Sequence, residues 1–371
     1  MKIAFLLFKY FPFGGLQRDC LKIAEIVRDR GHEVWIYARS WQGDKPQGVH
    51  IVEIATRSIT NQGKNCQYYR SVQEQLRTNP ADCVIGFNKM PGLDFYYAAD
   101  ECYAERIKQR SFIYKILPRT RFNLAYEREV FASGKKTKLL MLTEFQIKAF
   151  KENYGTEDSR FVLLPPGAPK ISLSESQRAS VRKQVRDRYA LKQDDIMLLQ
   201  VGSDFKRKGV DRSIRAIASL PQEIRKRVRF FVIGSDKEDA FKKLAGELEV
   251  AQQVTFMGGR KDVLDFMAAA DLYLHPARKE AAGIVLVEAL ASGLPEIVTE
   301  NCGYSTHIRD SEAGIVLANP FSQKSFNEAL ETLLSTTGKL GSLSAKAEQY
   351  VSNVDIYSLH NKVADIITQK K

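Results

Sequence analysis

The strongest constraint on the fold is a repeated alternation of apolar segments with amphipathic helical segments. Near the N-terminus KIAFLLF precedes LQRDCLKIAEIVRDRG, in which Leu16, Cys20, Ile23 and Val27 recur at helical spacing, and the strand EVWIYAR follows. The pattern restarts with strands IMLLQVGS, VRFFVIGS, VTFMG and LYLHP, separated by helices GVDRSIRAIASL, DAFKKLAGELEV and VLDFMAAA. Continuous apolar strands between amphipathic helices predict parallel sheets covered on both faces, which is an α/β doubly wound fold.

The length of 371 residues fits about two such domains. The boundary is expected in LLPPGAPKISLSES, residues 163–176, where prolines, glycine and serines interrupt both periodicities. We therefore expect Rossmann-like domains at residues 1–167 and 168–352. Ligands of such sheets bind beyond the carboxyl ends of the strands, so the expected active site is a cleft between the two domains.

Composition narrows the class of protein. No apolar stretch is long enough to cross a bilayer, so membrane association is expected to be peripheral. The five cysteines are scattered and lack CxxC spacing, which favours reduced thiols in a cytoplasm. The five histidines are also dispersed, so no metal site is predicted. The net charge of +12 calls for an anionic partner.

The loop after the first strand, KYFPFGGLQRD, places Gly14 and Gly15 directly before a helix. Backbone amides there could approach a phosphate or a sugar closely, although such a pair also serves simple tight turns. The loop is not a GxGxxG fingerprint, and no acidic residue ends the second strand, where Ala38, Arg39 and Ser40 stand. A nicotinamide cofactor is therefore not expected.

Two loops of the second domain carry charge. In GSDFKRKGVD, Arg207 and Lys208 would project two cations toward the cleft. A solvated basic turn that binds no ligand would have the same sequence pattern. In HPARKEAAGIVLVEALASG, Glu280 precedes a helix predicted to begin at about Gly283, and Glu288 follows inside it. The helix start would suit a diphosphate.

The separation of the two glutamates fits an extended ligand. A helix rises about 7 to 8 Å between Gly283 and Glu288, so the glutamates would bracket a phosphate site. Retaining glycosidases need carboxyl groups only about 5 Å apart, which is a poor match. Glu288 could instead be an exposed helix residue, but its neighbours are apolar, and a glutamate there is costly unless partnered.

These motifs carry a resemblance. FGG, GSDFKRKG and EAAGIVLVEALASGLP resemble the retaining GT-B glycosyltransferases of family 4, and the likeness extends along nearly the whole chain. KYFPFGGLQRD, VIGFNKMPGLD and LQVGSDFKRKGVDRS resemble, more narrowly, the lipopolysaccharide core glucosyltransferases of Gram-negative bacteria. The resemblance implies two Rossmann-like domains facing across a cleft. It also implies retaining transfer of a hexose, most simply glucose, from UDP-α-D-glucose to an inner-core heptose of the lipid A-core acceptor.

The resemblance implies roles for the matching donor-site residues. Glu280 would hold sugar hydroxyls, and Glu288 would hold the ribose. Arg207 and Lys208 would neutralise the departing diphosphate. The other residues that it implies for the donor site are Gly14, Gly15, Arg260, Ala282, Gly283 and Ile284. No cofactor is implied, because the UDP-sugar is a substrate, and no DxD sequence suggests a divalent metal.

Two further acidic residues are candidates near the transferred sugar. Asp19 would lie on the acceptor side. Asp100, after FYYAA, stands where related transferases often place a histidine, although a helix-capping or structural role is an equal alternative. Other departures from the family pattern are Glu296, where a hydrophobic residue is usual, and the loop CGYSTHI, which lacks a glutamate after its glycine.

Residues 105–136 mix basic and aromatic side chains. Such a segment can lie on an anionic membrane, although ordinary amphipathic helices with a solvated basic face would read similarly. The residues expected to contact the membrane are Arg106, Lys108, Arg110, Phe112, Tyr114, Lys115, Arg119, Arg121 and Phe122. A lipid-linked acceptor favours the membrane hypothesis. The expected location is therefore the cytoplasmic face of the inner membrane.

The alternative functions are two other enzyme activities and nucleic-acid binding. A GT-B epimerase is the main alternative enzyme, and a phosphorylase would need a pyridoxal-binding lysine environment that is not evident. The pI of 9.3 invites a nucleic-acid function, but no nucleic-acid-binding motif occurs and the basic residues are spread through both domains, so no nucleic-acid partner is expected. In similar folds the last helix returns to the first domain, so residues 353–371 are expected there.

Overall fold

The computed structural model describes residues 1–12, 14–108, 110–171 and 174–369. The chain forms two compact units, one of Met1–Pro165 with Ser358–Lys371 and one of Pro166–Tyr357. These bounds differ by a few residues from the expected 167/168 and 352/353. The backbone N–H of Ala168 donates to the carbonyl of Ile356, so the two connecting segments pair with each other inside the second unit.

The first unit is built on a seven-stranded parallel sheet with the order β3-β2-β1-β4-β5-β6-β7. Its elements before the second unit are β1 (Lys2–Leu7), α1 (Gly15–Asp29), β2 (Glu33–Ala38), β3 (His50–Glu53), α2 (Asn61–Thr78), β4 (Cys83–Gly86), β5 (Phe95–Ala98), α3 (Tyr103–Ile107), α4 (Phe112–Ile116), α5 (Pro118–Phe131), β6 (Lys138–Met141), α6 (Glu144–Tyr154) and β7 (Phe161–Leu163). The residues of β1 from Ile3 to Leu7 are fully buried, as expected for a central strand covered on both faces.

The second unit is built on a six-stranded parallel sheet with the order β10-β9-β8-β11-β12-β13. Its elements are α7 (Glu175–Arg188), β8 (Ile196–Val201), α8 (Phe205–Lys208), α9 (Val210–Ala218), α10 (Gln222–Arg225), β9 (Val228–Ile233), α11 (Asp239–Glu247), β10 (Val254–Phe256), α12 (Val263–Ala269), β11 (Leu272–His275), α13 (Ile284–Ala291), β12 (Glu296–Thr299), α14 (Ser305–Ser311), β13 (Gly314–Leu317), α15 (Gln323–Ser335) and α16 (Lys339–Asn353). Leu198, Phe230, Leu274 and Ile297, from its four middle strands, share one core cluster.

The prediction of two doubly wound parallel-sheet domains is confirmed. Each sheet runs outward in both directions from its first strand, so the strand order reverses between β1 and β4 and between β8 and β11. At such a point the two adjoining loops diverge to opposite faces of the sheet and leave a crevice, which is where doubly wound folds bind ligands.

The last helix, α17 (Leu359–Thr368), belongs to the first unit. It packs on α1, and the carboxylate of Asp365 forms an ion pair with Nη1 of Arg30 at 2.8 Å. Residues 370 and 371 of the segment expected to return lie outside the described residues.

Glu296, which departs from the family pattern, lies inside the second unit. It occupies the first position of β12, its side chain is fully buried, and neither carboxylate oxygen has a hydrogen-bond partner in the part of the chain that the structure describes. Burial raises its pKa well above the ordinary value, so the group is held in its neutral form.

Candidate active site

Three charged side chains of the second unit converge at its switch point. Arg207 and Lys208 lie on α8, directly after β8, and Glu280 follows the neighbouring strand β11. Lys208 Nζ lies 2.5 Å from Glu280 Oε2, and Arg207 Nη1 lies 2.7 Å from the same oxygen. The structure thus brings these three predicted site residues into direct contact.

The short helix α8 is held by its flanking residues. The side chain of Asp204, before the helix, accepts hydrogen bonds from the backbone N–H of Arg207 and from its Nε at 2.9 Å. Gly209, after the helix, has a φ of +77°, and a Cβ there would stand 2.1 Å from the carbonyl oxygen of Pro276. A glycine is therefore required for the two loops to approach closely enough for Lys208 to reach Glu280.

A second ion pair fastens the two loops together. Arg278 donates from Nη1 and Nη2 to the two carboxylate oxygens of Asp211, each at 2.8 Å. The backbone N–H of Arg278 also donates to the carbonyl of Arg207 at 2.7 Å. Sequence reasoning missed this clamp. In the sequence, Asp211 and Arg278 stand in the two charged loops, but no local pattern indicates that they pair with each other.

The electrostatics of the cluster favour three charged groups. Burial alone would raise the pKa of Glu280, but the positive charges of Lys208 and Arg207 outweigh that effect and lower it. Burial alone would lower the pKa of Arg207, but the Glu280 carboxylate outweighs burial and raises it. Asp204 also pairs with Arg207, so two carboxylates balance the two cations, and the cluster offers an anionic ligand N–H donors without a net positive charge.

His275 lies beneath this cluster, at the end of β11, and is 0% exposed. Burial and the nearby charge of Lys208 lower its pKa to about 3, so the imidazole is neutral. Its Nδ1 lies 3.3 Å from the hydroxyl of Tyr273. The neutral ring adds no further positive charge below the two cations.

Helix α13 begins where the sequence predicted. Its first residue is Ile284, and Gly283 before it has a φ of +85°, a conformation that favours glycine. Backbone N–H groups in the first turn of a helix have no partner within the helix, and the aligned peptide dipoles favour negative charge there. Ala282, Gly283 and Ile284 therefore bring backbone close to the cluster. A Cβ on Gly283 would stand 3.1 Å from Cγ of Glu280.

The loop after β12 supports this turn through its backbone. The N–H of Glu280 donates to the carbonyl of Asn301 at 3.0 Å, and the carbonyl of Glu280 accepts from the N–H of Gly303 at 3.2 Å. The N–H of Tyr304 donates to the carbonyl of Ala282 at 2.8 Å. These three bonds use main-chain atoms, so the turn is held without the acidic side chain that this loop lacks.

Glu288 lies in the second turn of α13 and is half-buried, whereas its neighbours Val287 and Ala289 are buried. It is therefore not a fully exposed helix residue. Arg260 follows the edge strand β10 and is committed to a local pair, with Nε and Nη2 donating to Asp262 at 2.7 and 2.6 Å. The described contacts do not join Arg260 to the Glu280 cluster.

In the first unit, Gly14 precedes α1 and Gly15 is its first residue. A Cβ on Gly15 would meet none of the described residues within 4 Å, which leaves space for a ligand beside this backbone. The loop before it is braced, because the Tyr10 ring stacks on Trp41 with centroids 3.8 Å apart.

Asp19 connects three elements of the first unit. One carboxylate oxygen accepts a hydrogen bond from the Tyr97 hydroxyl at 2.8 Å, and the other lies 2.8 Å from Nε2 of His360 on α17. The observed contacts of Asp19 are those of a tether between α1 and the last helix. A role toward the acceptor stays a prediction.

Asp100 is exposed between β5 and α3. It does not cap α3, because the residue that precedes that helix is Cys102. Its backbone carbonyl accepts a hydrogen bond from the Gln146 side chain at 2.9 Å, and the residue lines a cavity in the first unit.

Helices α3 to α5 carry the basic and aromatic segment. Of the residues expected to contact a membrane, Arg106, Lys108, Arg110, Phe112, Arg119 and Arg121 are exposed, and Tyr114, Lys115 and Phe122 are half-buried. Phe112 is 75% exposed and the adjacent Ile113 is 71% exposed. Helix α4 has no buried residue, so its apolar side chains do not serve the core as those of an ordinary amphipathic helix would.

None of the described helices is both long and apolar enough to cross a membrane. Among the same described residues, no group of three or more His, Cys, Asp or Glu side chains is arranged to hold a metal ion.

Comparison with known sequences gives a full-length match. The profile of the family described as glycosyl transferases group 1 matches residues 181–350. The lipopolysaccharide glucosyltransferase WaaG of Escherichia coli K12 is 49% identical over 369 residues, which cover 99% of each chain.

Comparison with solved structures agrees with the sequence match. The crystal structure of WaaG, a glycosyltransferase involved in lipopolysaccharide biosynthesis, superimposes with a TM-score of 0.92 and covers 99% of this chain and 100% of that one, at 49% identity. The Anabaena protein Alr3699/HepE in complex with UDP-glucose gives a TM-score of 0.76 over 99% of both chains. At 18% identity the Anabaena protein shows a shared fold alone.

Proposed function

The chain belongs to the group 1 glycosyl transferases, with the GT-B fold, and we propose that it moves glucose from UDP-glucose to an inner-core heptose of lipopolysaccharide. The observation that carries the proposal is the Arg207–Lys208–Glu280 cluster beside the start of α13, in a chain 49% identical to a lipopolysaccharide glucosyltransferase. The enzyme is a nucleotide-sugar-dependent transferase.

The donor's diphosphate would lie between the cations and the helix start. Arg207 and Lys208 would face its oxygens from one side, and the first amides of α13 would face them from the other. Fixed positive groups of this kind stabilise the negative charge that grows on the leaving oxygen as the sugar departs. We propose that these groups make a divalent metal unnecessary. Activity that persists in excess EDTA would support this, and activity restored only by a metal would refute it.

The two glutamates would hold the ends of the donor. Glu280 would accept hydrogen bonds from sugar hydroxyls, and its contact with Lys208 and Arg207 would set its position. Glu288, one turn further along α13, would accept from the ribose hydroxyls. An ionised carboxylate is a strong acceptor for hydroxyl groups, and the lowered pKa of Glu280 keeps it ionised.

The transfer would retain anomeric configuration by attack on one face. The bond from C1 to the phosphate oxygen breaks toward an oxocarbenium-like state, and the acceptor hydroxyl oxygen forms the new bond to C1 on the same face. The departing phosphate oxygen takes the proton of that hydroxyl. The sequence offers no evident nucleophile toward the donor, and this route needs none.

The acceptor would be lipid-linked, which gives the basic and aromatic segment a role. Exposed Phe112 and Ile113 would insert shallowly, while arginines of α3 to α5 contact anionic headgroups. The protein would then work at the cytoplasmic face of the inner membrane. The epimerase and nucleic-acid alternatives are not favoured, because a relative that matches the full length is named as a glucosyltransferase.

Calorimetric titration with UDP-glucose, UDP-galactose, UDP-N-acetylgalactosamine and ADP-glucose tests the donor. We expect UDP-glucose to bind most tightly and Glu288→Ala to weaken it. Product analysis with a heptose-containing acceptor then tests the transfer itself. Binding by none of the nucleotide sugars would refute the proposal.

A further inference from the structure

The helix that carries the two cations of the donor site is too short to hold its own shape. Helix α8 has four residues, Phe205–Lys208. A single helical turn is only marginally stable by itself, because forming it fixes several dihedral angles for one hydrogen bond. The last carbonyls of a helix also lack partners within it. The positions of Arg207 and Lys208 therefore depend on groups outside α8 that cap its carbonyls.

Arg278 supplies two of these caps. Its Nη1 donates to the carbonyl of Lys206 at 2.5 Å, and its backbone N–H donates to the carbonyl of Arg207 at 2.7 Å. Asp211 fixes the plane of the guanidinium, because its two oxygens accept from Nη1 and Nη2 at 2.8 Å each. Arg278 stands two residues before Glu280. The same loop thus holds the backbone of α8 through Arg278 and its side chains through Glu280.

Gln200 supplies a third cap, which gives a reason for a polar residue in an apolar strand. It lies in β8 and is 1% exposed. Its Nε2 donates to the carbonyl of Lys208 at 2.8 Å, and its Oε1 accepts from the Ser213 hydroxyl at 2.8 Å. A buried amide is costly unless its donor and acceptor are paired, and here both are. The backbone of Lys208 is thus anchored to the sheet of the second unit.

We propose that Arg278 and Gln200 are positioning residues of the donor site, which hold Arg207 and Lys208 in place without touching the donor themselves. The inference rests on the proposed function and adds residues outside its donor contacts. Cations on a loose turn would have to be ordered when the diphosphate binds, and that ordering would subtract from the affinity. Cations that are fixed in advance avoid this cost and stabilise the leaving group without reorganisation.

The test compares UDP with UMP by calorimetric titration. The second phosphate of UDP is the group expected to meet Arg207 and Lys208, so the wild-type protein should bind UDP about tenfold more tightly than UMP, or better. Arg278→Met keeps an unbranched side chain but removes the guanidinium. It should raise the Kd for UDP about tenfold, as when one hydrogen bond to a charged group is lost. The Kd for UMP and the number of binding sites per chain should stay at wild-type values.

Gln200→Leu removes the buried cap and should shift the ratio of the two Kd values in the same direction. Arg215→Ala is the matched control, because Arg215 is an exposed arginine one turn along α9 from Asp211. It should leave both Kd values unchanged.

A merely structural role of Arg278 would give a different result. Arg278→Met would then lower the melting temperature and the number of binding sites per chain, while the ratio of the Kd values for UDP and UMP stayed at the wild-type value. That outcome would overturn the positioning role alone. Wild-type protein that binds UDP no more tightly than UMP would instead overturn the proposed diphosphate site, and the inference with it.

Discussion

Lys208 and Glu280, which are 72 residues apart in sequence, meet at 2.5 Å with side chains only 9% and 15% exposed. The pair joins the loops that follow two neighbouring strands, so it fixes both loops at the switch point. A diphosphate bound there would compete with Glu280 for the Lys208 ammonium. The contact therefore couples donor binding to the position of the carboxylate that is proposed to hold the sugar.

Lys208→Ala should abolish most of the transfer while leaving the fold intact. The variant removes a fixed cation from the leaving group, and losses of comparable electrostatic groups cost about 10² to 10³ in kcat. Arg207 still neutralises Glu280, so the carboxylate is not left alone. Steady-state kinetics with UDP-glucose measures the effect, and thermal melting checks the fold.

Lys206→Ala is the control for that variant. Lys206 lies on the same short helix but is exposed, and its Nζ is 3.5 Å from Asp211. Its rate should stay within about twofold of wild type, as expected for a weak surface pair. Near-normal kcat in Lys208→Ala would contradict the role given to Lys208, and the same test applies to Glu280→Ala.

Glu127→Ala should destabilise the first unit by about 3 kcal/mol, because it leaves Lys89, whose side chain is only 11% exposed, without its carboxylate partner. Burial alone would raise the pKa of Glu127, but Lys89 and the two backbone N–H groups outweigh it and lower the pKa. Because the pKa of Glu127 is lower in the folded state than in the unfolded state, its carboxylate stabilises the fold at pH values above the unfolded-state pKa. This stabilisation is lost as the pH falls through the folded-state pKa. Urea unfolding at several pH values measures both effects.

The double variant Lys89→Met with Glu127→Gln separates the ion pair from the packing. It should recover part of the stability lost in Glu127→Ala, because no unpaired charge stays buried. Equal stability of the single and double variants would argue that Lys89 and Glu127 are not coupled.

Glu296→Leu should stabilise the protein by about 1 to 3 kcal/mol, because it removes a buried carboxyl group that forms no hydrogen bond with any described residue. The raised pKa adds a pH dependence. Above the ordinary value of 4.5 the unfolded carboxyl loses its proton while the folded one keeps it. Wild-type stability should therefore fall as the pH rises from 4.5 toward the folded pKa, at up to about 1.4 kcal/mol per pH unit.

Glu296→Gln distinguishes the two effects. It keeps an unpaired polar group in the core but cannot ionise, so it should abolish the pH dependence without the full gain of Glu296→Leu. Denaturation of the three proteins between pH 4.5 and pH 8 gives the comparison. A wild-type curve parallel to that of Glu296→Gln would refute a neutral buried Glu296.

Replacing Phe112 and Ile113 with serine should weaken binding to anionic vesicles about tenfold or more, because two exposed apolar side chains lose their contact with lipid. Transfer to a soluble, delipidated heptose-containing oligosaccharide should not change, because that acceptor is not held at a membrane. Sedimentation with vesicles containing anionic lipid at low salt measures the binding. Wild-type protein that stays in the supernatant would count against the membrane role.

The sequence predicted what is encoded locally. Apolar strands and amphipathic helices specified the two sheets, and the start of α13 followed from a glycine before an apolar helical run. Arg207, Lys208 and Glu280 were identified because each stands in a loop after a strand, where parallel sheets bind ligands.

Contacts between distant segments were not predictable in the same way. Asp211 and Arg278 are 67 residues apart, and Asp19 and His360 are 341 apart, so no local pattern pairs them. Glu127 sits among charged residues of α5 and looks like a surface glutamate, although the fold buries it beneath α3. Arg260 was placed in the donor site by resemblance, and its observed partner is Asp262.

The hydrogen bond between Asp19 and His360 has a consequence for synthesis on the ribosome. The first unit is interrupted by Pro166–Tyr357, and its last helix is translated only after that whole segment. The second unit is continuous and can fold as soon as it emerges, whereas the surface of α1 that receives α17 must wait. Deleting α17 should therefore uncover the face of α1 that carries Asp19 and Arg30, and the yield of folded protein should depend on completing the chain.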